Sequence, residues 1–141
     1  MRAKEITKAV NAAIKKEYDA IIVNYSNADM VGHIGNYESS IKTLECMDKC
    51  LNKVIKAAKK KNYFVMVTAD HGNIEEMRTN RGEPHMAHTT NPVFCSVTNK
   101  NVCMKETGGL KDVAPTFVEL LGLKQNKHFE GESLIVHNHT K

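Results

Sequence analysis

Three short runs of apolar, largely β-branched residues alternate with helix-type patterns, and this alternation constrains the fold more than any other feature of the sequence. The runs cover residues 20–25, 63–68 and 93–97. Each is apolar on both faces, which is typical of strands in a parallel sheet covered by helices. The alternation predicts an α/β layered fold with a mostly parallel sheet flanked by helices. Three strands make a narrow sheet, so we interpret the chain as part of a domain.

The helix-type patterns predict two long helices and one shorter helix. Residues 4–16 carry apolar side chains at a spacing of four, which indicates an amphipathic helix. Spacings of three and four predict a long helix with one packed face over residues 37–60. Asp112 is expected to be the N-cap of a third helix that runs through Leu121 and ends at Gly122.

The composition restricts the partners of the chain. Its 141 residues are 41% hydrophobic and 26% charged, with a formal net charge of +4. These fractions are typical of a folded domain, and a small, scattered positive excess predicts no nucleic-acid partner. No apolar run approaches the ~20 residues that span a bilayer, so no membrane partner is expected. The N-terminal residues lack a signal-peptide core, which predicts a cytoplasmic location.

Acidic and histidine side chains lie beside the ends of the predicted strands. Asp29 and His33 follow the first run four residues apart, which places both on one face of a helical turn. Asp70 and His71 follow the second run, and His88 precedes the third. In open α/β sheets, ligands bind beyond the carboxyl ends of the strands. Carboxylates and imidazoles that converge from separate loops suit a dinuclear site for manganese, zinc or cobalt.

Each of these features also has an ordinary structural explanation. An Asp after a strand is more often a turn or cap residue, and the Asp-x-x-x-His spacing is common by chance. Three such clusters at equivalent positions favour the metal interpretation, whereas His137 and His139 are interpreted as tail residues. The four cysteines are expected to be free thiols, because no second Cys or His pair completes a zinc site near Cys46 and Cys50.

Five segments around these residues resemble one known family in sequence and in order. Segments 27–33, 68–73 and 87–92 closely resemble the cofactor-independent (2,3-bisphosphoglycerate-independent) phosphoglycerate mutases of the alkaline phosphatase superfamily. Segments 109–116 and 129–135 resemble the C-terminal segments of that family. The resemblance therefore covers nearly the whole chain.

The resemblance implies a ligand set, a reaction and two metal cofactors. Asp29, His33 and His88 match the three ligands of one manganese ion, and Asp70 and His71 match two ligands of the second. The family interconverts 3-phosphoglycerate and 2-phosphoglycerate in glycolysis through a phosphoserine enzyme. The implied cofactors are thus two divalent ions, with Mn²⁺ preferred, and the implied substrate is phosphoglycerate.

A large part of the family's machinery has no counterpart in the sequence. The resemblance implies that residues 1–141 are the C-terminal portion of the metalloenzyme domain, without its N-terminal portion or the inserted phosphotransferase domain. The family's serine nucleophile and its phosphate-binding arginines belong to those parts. No catalytic residue is assigned, because the nucleophile motif is matched by none of Ser26, Ser39, Ser40, Ser96 and Ser133. The chain alone is expected to be inactive, and the missing N-terminal portion is an expected partner.

Three functions stay open from the sequence. The first is the metal-binding part of an incomplete mutase, which the ordered motifs and the shortage of strands favour. The second is a stand-alone phosphohydrolase in which a metal-bound hydroxide replaces the serine. The third is a non-catalytic module that binds a metal or a partner.

Overall fold

The computed structural model describes residues 2–137. The chain divides into two compact units, Met1–Cys95 and Ser96–Lys141, of which residues 2–95 and 96–137 are described. The helices of the described residues are α1 (Ala3–Lys15), α2 (Asn27–Gly32), α3 (Tyr37–Lys60) and α4 (Val113–Leu120), with a 3₁₀ turn at Leu110–Asp112. The strands are β1 (Met66–Thr68), β2 (Cys95–Val97), β3 (Cys103–Met104) and β4 (Ile135–Val136). None of these helices is long and apolar enough to cross a membrane.

The core of the first unit lies between α1 and α3. Val10 and Ile14 of α1 are buried against Val54 and Ala58 of α3. The spacing of four that predicts α1 places its apolar side chains in one stripe, and this stripe is the face that α3 covers. Burying each of the larger side chains contributes about 1.5–3 kcal/mol, which makes this helix pair the main stabilising element of the unit.

Helix α3 begins and ends where the sequence predicts. Asn36 is its N-cap, and the side chain of Asn36 accepts a 2.9 Å hydrogen bond from the backbone N–H of Ser39. Such a bond satisfies one of the free N–H groups of the first turn. Lys59 and Lys60 occupy the last turn, where positive charge offsets the negative end of the helix dipole.

The strand predicted over residues 20–25 is wrong. This segment forms no strand, and the side chains of Ile22 and Val23 are 89% and 41% exposed. A strand that is apolar on both faces needs neighbouring strands and covering helices. Within residues 2–137, no strand pairs with residues 20–25. The prediction failed because a β-branched pattern favours a buried strand, but a strand forms only where neighbouring strands are present to pair with it.

The other two predicted strands are shorter than expected. The run over residues 63–68 is a strand only at Met66–Thr68, and the run over residues 93–97 only at Cys95–Val97. These strands form a two-stranded sheet, and Phe94 beside them is 64% exposed. A sheet of this size does not bury its strands on both faces, which is why the predicted full burial is not observed.

The second unit contains an antiparallel pair that the sequence did not reveal. Cys103 pairs with Val136, and Met104 pairs with Ile135. Strands of two residues are too short to show an alternating pattern, so sequence periodicity carries no signal for them.

Asp112 precedes α4 as predicted, but its side chain does not cap that helix. The carboxylate instead accepts hydrogen bonds from the backbone N–H groups of Gly109 (2.7 Å) and Glu132 (2.9 Å). These bonds lower the pKa of Asp112 from its ordinary value, because they stabilise the ionised form. Helix α4 ends before Gly122, whose φ of +70° is the left-handed conformation that glycine adopts easily.

Candidate metal centre

Helix α2 places Asp29 and His33 on one face. The backbone N–H of His33 donates to the carbonyl of Asp29 (3.1 Å), which closes one helical turn between them. Their side chains therefore meet, with Nε2 of His33 3.1 Å from Oδ1 of Asp29. The spacing of four residues predicts this contact, and the structure confirms it.

His88 reaches the same point from a distant loop. Its Nε2 lies 3.1 Å from Oδ1 of Asp29 and 3.0 Å from Nε2 of His33. The three atoms form a nearly equilateral triangle, and the three residues are the group within the described residues able to hold a metal ion. Asp29 is partly buried and both histidines are exposed, so the triangle is open to solvent.

The ring of His33 is oriented by a backbone contact. Its Nδ1 lies 2.6 Å from the carbonyl oxygen of Met86. A carbonyl oxygen can only accept, so Nδ1 is the donor in this contact and Nε2 is the nitrogen that faces the triangle. Metal-binding histidines usually have such a second contact, which fixes both the tautomer and the ring orientation. Nothing in the sequence pattern indicated this role for Met86.

The dimensions of the triangle fit a divalent transition ion. Ligands about 2.1 Å from an octahedral ion lie about 3.0 Å apart when they occupy adjacent positions. The observed separations of 3.0–3.1 Å among Asp29, His33 and His88 agree with this value. A donor set of one carboxylate oxygen and two imidazole nitrogens suits manganese, zinc or cobalt. The four cysteines are free thiols, and none of them belongs to this group.

The two other predicted ligands lie beside this group rather than in it. The ring of His71 stacks on the ring of His88, with centroids 3.6 Å apart and an angle of 20° between the planes. The Asp70 side chain is 82% exposed, and its Oδ2 is 3.6 Å from Nε2 of His71. His71 is thus brought to the edge of the triangle, whereas Asp70 faces solvent and stays a predicted ligand.

Two further histidines, His85 and His137, contact other groups. Nδ1 of His85 lies 3.0 Å from the carbonyl oxygen of Glu76. His137, interpreted from the sequence as a tail residue, places Nε2 2.5 Å from Oε1 of Glu119. His139 lies outside the described residues.

A hydrogen-bonded carboxylate that the sequence did not single out joins the loops of His71 and His88. Glu75 accepts bonds from the backbone N–H of Asn73 (2.6 Å), the hydroxyl of Thr89 and the amide of Asn91 (3.1 Å). Glu75 is exposed, and its slight loss of hydration raises its pKa, but these bonds outweigh that effect and hold the pKa at about 2. Sequence proximity to His71 was the only available signal for Glu75.

Two glycines allow these segments to approach closely. A Cβ atom at Gly32 would lie 1.5 Å from Oδ1 of the buried Asn73, and one at Gly72 would lie 2.3 Å from Oε1 of Glu75. Real atoms do not approach to these distances, so any side chain at either position must displace its neighbour. The glycines therefore set how closely α2 and the loop after β1 pack.

The helices and strands, together with the candidate ligands Asp29, His33 and His88, define the class of protein. It is an α/β protein with a candidate site for a divalent metal ion. The family model of the Metalloenzyme superfamily matches residues 1–125, so this chain belongs to that superfamily.

Individual relatives agree with this assignment. The 2,3-bisphosphoglycerate-independent phosphoglycerate mutase of Hahella chejuensis is 43% identical over 140 residues, which are 98% of this chain and 27% of that protein. The protein of the same name from Listeria monocytogenes is 48% identical over 136 residues, 96% of this chain and 27% of that protein.

A solved structure shows the same fold. The phosphoglycerate mutase of Leishmania mexicana, described at low cobalt concentration, superposes with a TM-score of 0.86 and 33% identity. The match covers 96% of this chain and 28% of the Leishmania chain. The family resemblance and the α/β fold predicted from the sequence are confirmed, and the chain spans about 27% of the length of the curated relatives it matches.

Proposed function

We propose that this chain is the C-terminal, metal-binding portion of a cofactor-independent phosphoglycerate mutase, an isomerase of glycolysis in the cytoplasm. In this proposal the complete enzyme interconverts 3-phosphoglycerate and 2-phosphoglycerate through a phosphoserine. The observation that carries the proposal is the triangle of Asp29, His33 and His88, whose atoms lie 3.0–3.1 Å apart. The similarity to mutases over 96–98% of the chain supports the choice of reaction.

Two divalent ions, with Mn²⁺ preferred, are the proposed cofactors. Asp29, His33 and His88 would hold the first ion, and Asp70 and His71 would contribute two ligands to the second. When bound, such ions lower the pKa of a hydroxyl nucleophile and neutralise charge on a transferring phosphoryl group. The exposed Asp70 carboxylate is accessible to a second ligand-bearing segment, which is consistent with a second site that this chain only half supplies.

The proposed partner of residues 1–141 is the N-terminal portion of the same metalloenzyme domain, with its inserted phosphotransferase domain. The chain spans 27% of its curated relatives, so most of a mutase corresponds to no residue here. The apolar side chains of Ile22 and Phe94 are 89% and 64% exposed. Large exposed apolar side chains that cluster in predicted strands are typical of a surface that another segment covers.

The proposal is tested by titrating the full 141-residue chain with Mn²⁺ in a calorimeter. The parent chain should bind the ion, and Asp29→Ala should abolish binding because the triangle loses its only carboxylate. Asp48→Ala removes an equal charge from the exposed surface of α3 and should bind as the parent does. Equal Mn²⁺ binding by the D29A variant and the parent would contradict the assignment.

The reaction is tested by complementation. Mutase turnover should be absent from the chain alone. It should appear when the N-terminal portion of the Listeria relative, which has no counterpart in this chain, is supplied. Turnover by the chain alone would contradict the incomplete-enzyme proposal. Release of phosphate from an aryl phosphate by the chain alone would instead support a stand-alone phosphohydrolase, and Mn²⁺ binding without turnover in either mixture would support a non-catalytic module.

A further inference from the structure

Two loops that carry predicted metal ligands are joined by only a few contacts. Gly72 and Thr89 form an isolated antiparallel bridge, in which the backbone N–H of Thr89 donates to the carbonyl of Gly72 (2.9 Å). His71 precedes one end of this bridge and His88 precedes the other. The stacking of their rings at 3.6 Å therefore depends on how these loops are held together.

The Glu75 carboxylate accepts hydrogen bonds from both of these loops. Its Oε2 accepts from the backbone N–H of Asn73 in its own loop. Its Oε1 accepts from the Thr89 hydroxyl and from the Asn91 amide (3.1 Å) in the opposite loop. Both carboxylate oxygens are thus used, one for each loop, and Oε1 lies only 2.3 Å from the position that a Cβ at Gly72 would take.

We propose that Glu75 is a positioning residue for the metal centre. It joins the loop of Asp70 and His71 to the loop of His88, and this junction sets the distance between the two imidazoles. The hydrogen bonds of Glu75 go to Asn73, Thr89 and Asn91, so it acts through residues that lie close to the predicted ligands in the chain. This inference rests on the proposed function, because positioning matters only if these histidines bind metal.

The substitution Glu75→Gln tests the role with little change of volume. All three groups that face the carboxylate are donors, and the amide of the E75Q variant has one oxygen and one N–H₂ group. At least one donor then loses its acceptor, whichever way the amide points. Glu76→Gln is the matched control, since Glu76 is adjacent, carries the same charge and accepts a single bond of 3.3 Å from Asn91.

The first measurement is the dissociation constant of Mn²⁺ by calorimetry, on full-length variants whose folding is verified by circular dichroism at the same temperature. Loss of a group that orients metal ligands typically weakens metal binding by about 10–100-fold. We expect a weakening of about tenfold or more for E75Q and no change for E76Q. Glu75→Asp, which keeps the charge but shortens the side chain, should lie between them.

The second measurement needs no metal. At about pH 8 most imidazoles are neutral, and the ring stacking should shift the imidazole carbon-bound proton signals of His71 and His88 in the NMR spectrum. E75Q should move the signals of His71 and His88 toward those of free histidine and should leave the His85 signals unchanged. E76Q should leave the signals of all three histidines unchanged. A general loss of stability would broaden signals throughout the protein and is distinguished in this way.

The two measurements separate failure of this inference from failure of the proposed function. If the parent binds Mn²⁺ and the E75Q variant binds it equally well with unshifted histidine signals, the role of Glu75 is refuted and the metal centre stands. If the parent binds no Mn²⁺, the metal centre is refuted, and the histidine signals alone decide whether Glu75 positions the two rings.

Discussion

The helix pair of the first unit and the segment predicted as its first strand differ in how well their apolar side chains are covered by other parts of the chain. Helices α1 and α3 bury Val10, Ile14 and Val54 against each other inside the chain. The segment at residues 20–25 has the same apolar character, yet its Ile22 is 89% exposed. An apolar pattern therefore predicts the burial that a segment requires, and the rest of the molecule determines whether that burial occurs.

The same contrast explains why the candidate metal centre is partly formed. Asp29 lies on α2 and His33 directly follows it, and this helix packs against α3. Asp70 follows β1, one of two strands in a sheet of the described residues, and its side chain is 82% exposed. The predicted ligands Asp29 and His33 are in contact, whereas the side chain of the predicted ligand Asp70 is exposed to solvent.

The largest effect is expected for Ile14→Ala in the helix pair. Ile14 is buried between α1 and α3, and truncating such a side chain typically costs about 2–5 kcal/mol. The measurement is the free energy of unfolding of the full chain in urea. A loss below about 0.5 kcal/mol would place Ile14 outside the core and remove one side of the comparison.

A smaller effect is expected for Gly32→Ala at the packing of α2 on the loop after β1. The added Cβ would meet Oδ1 of the buried Asn73 at 1.5 Å, and overpacking of this kind typically costs about 1–3 kcal/mol. Because His33 follows directly, Mn²⁺ binding should weaken as well. Gly109→Ala is the control, since its Cβ would meet atoms only at 3.8 Å and beyond. Equal stability of the two variants would show that this close approach does not exist.

The pH dependence of stability should contain a contribution from Glu75. Its pKa is lowered from 4.5 to about 2 in the folded chain, so its contribution is present above pH 4.5 and is lost as the pH falls toward 2. Solvent screening at this exposed carboxylate limits the contribution to about 1 kcal/mol. Urea unfolding at pH 7 and pH 3 should show a smaller acid loss for E75Q than for the parent. The same acid loss in both would contradict the lowered pKa.

The smallest effect is expected for Ile22→Ser. An exposed side chain contributes little, so the stability of the chain alone should change by less than about 0.5 kcal/mol. With the N-terminal portion of a relative supplied, the same substitution should weaken association of the two chains, because Ile22 is then covered. A large loss of stability in the chain alone would show that residues 20–25 are already packed and would contradict the exposure of Ile22.

Local patterns predicted local structure well. The spacing of apolar residues predicts a helix over residues 37–60, and the observed α3 has the same bounds, Tyr37–Lys60. The contact of Asp29 with His33 follows in the same way from their spacing of four residues. The strand at residues 20–25 was predicted by the same kind of pattern and is absent, because strands are completed by hydrogen bonds from distant segments.

The site was predictable only where residue types indicate chemistry. His88 was proposed from its type and its position before a strand, but no spacing rule places it 3.1 Å from Asp29, 59 residues away. The contact of Met86 with His33 uses a backbone carbonyl, which every residue possesses. The role of Glu75 depends on two loops that meet through backbone pairing, so its carboxylate looked like any other charged loop residue.

We propose that Asp29, His33 and His88 together hold one divalent ion. Anomalous diffraction at the manganese absorption edge, from crystals of the full chain grown with Mn²⁺, would locate this ion. We predict an anomalous peak about 2.1 Å from Oδ1 of Asp29 and from Nε2 of both histidines. A manganese peak elsewhere in the chain, with none inside the triangle, would contradict it.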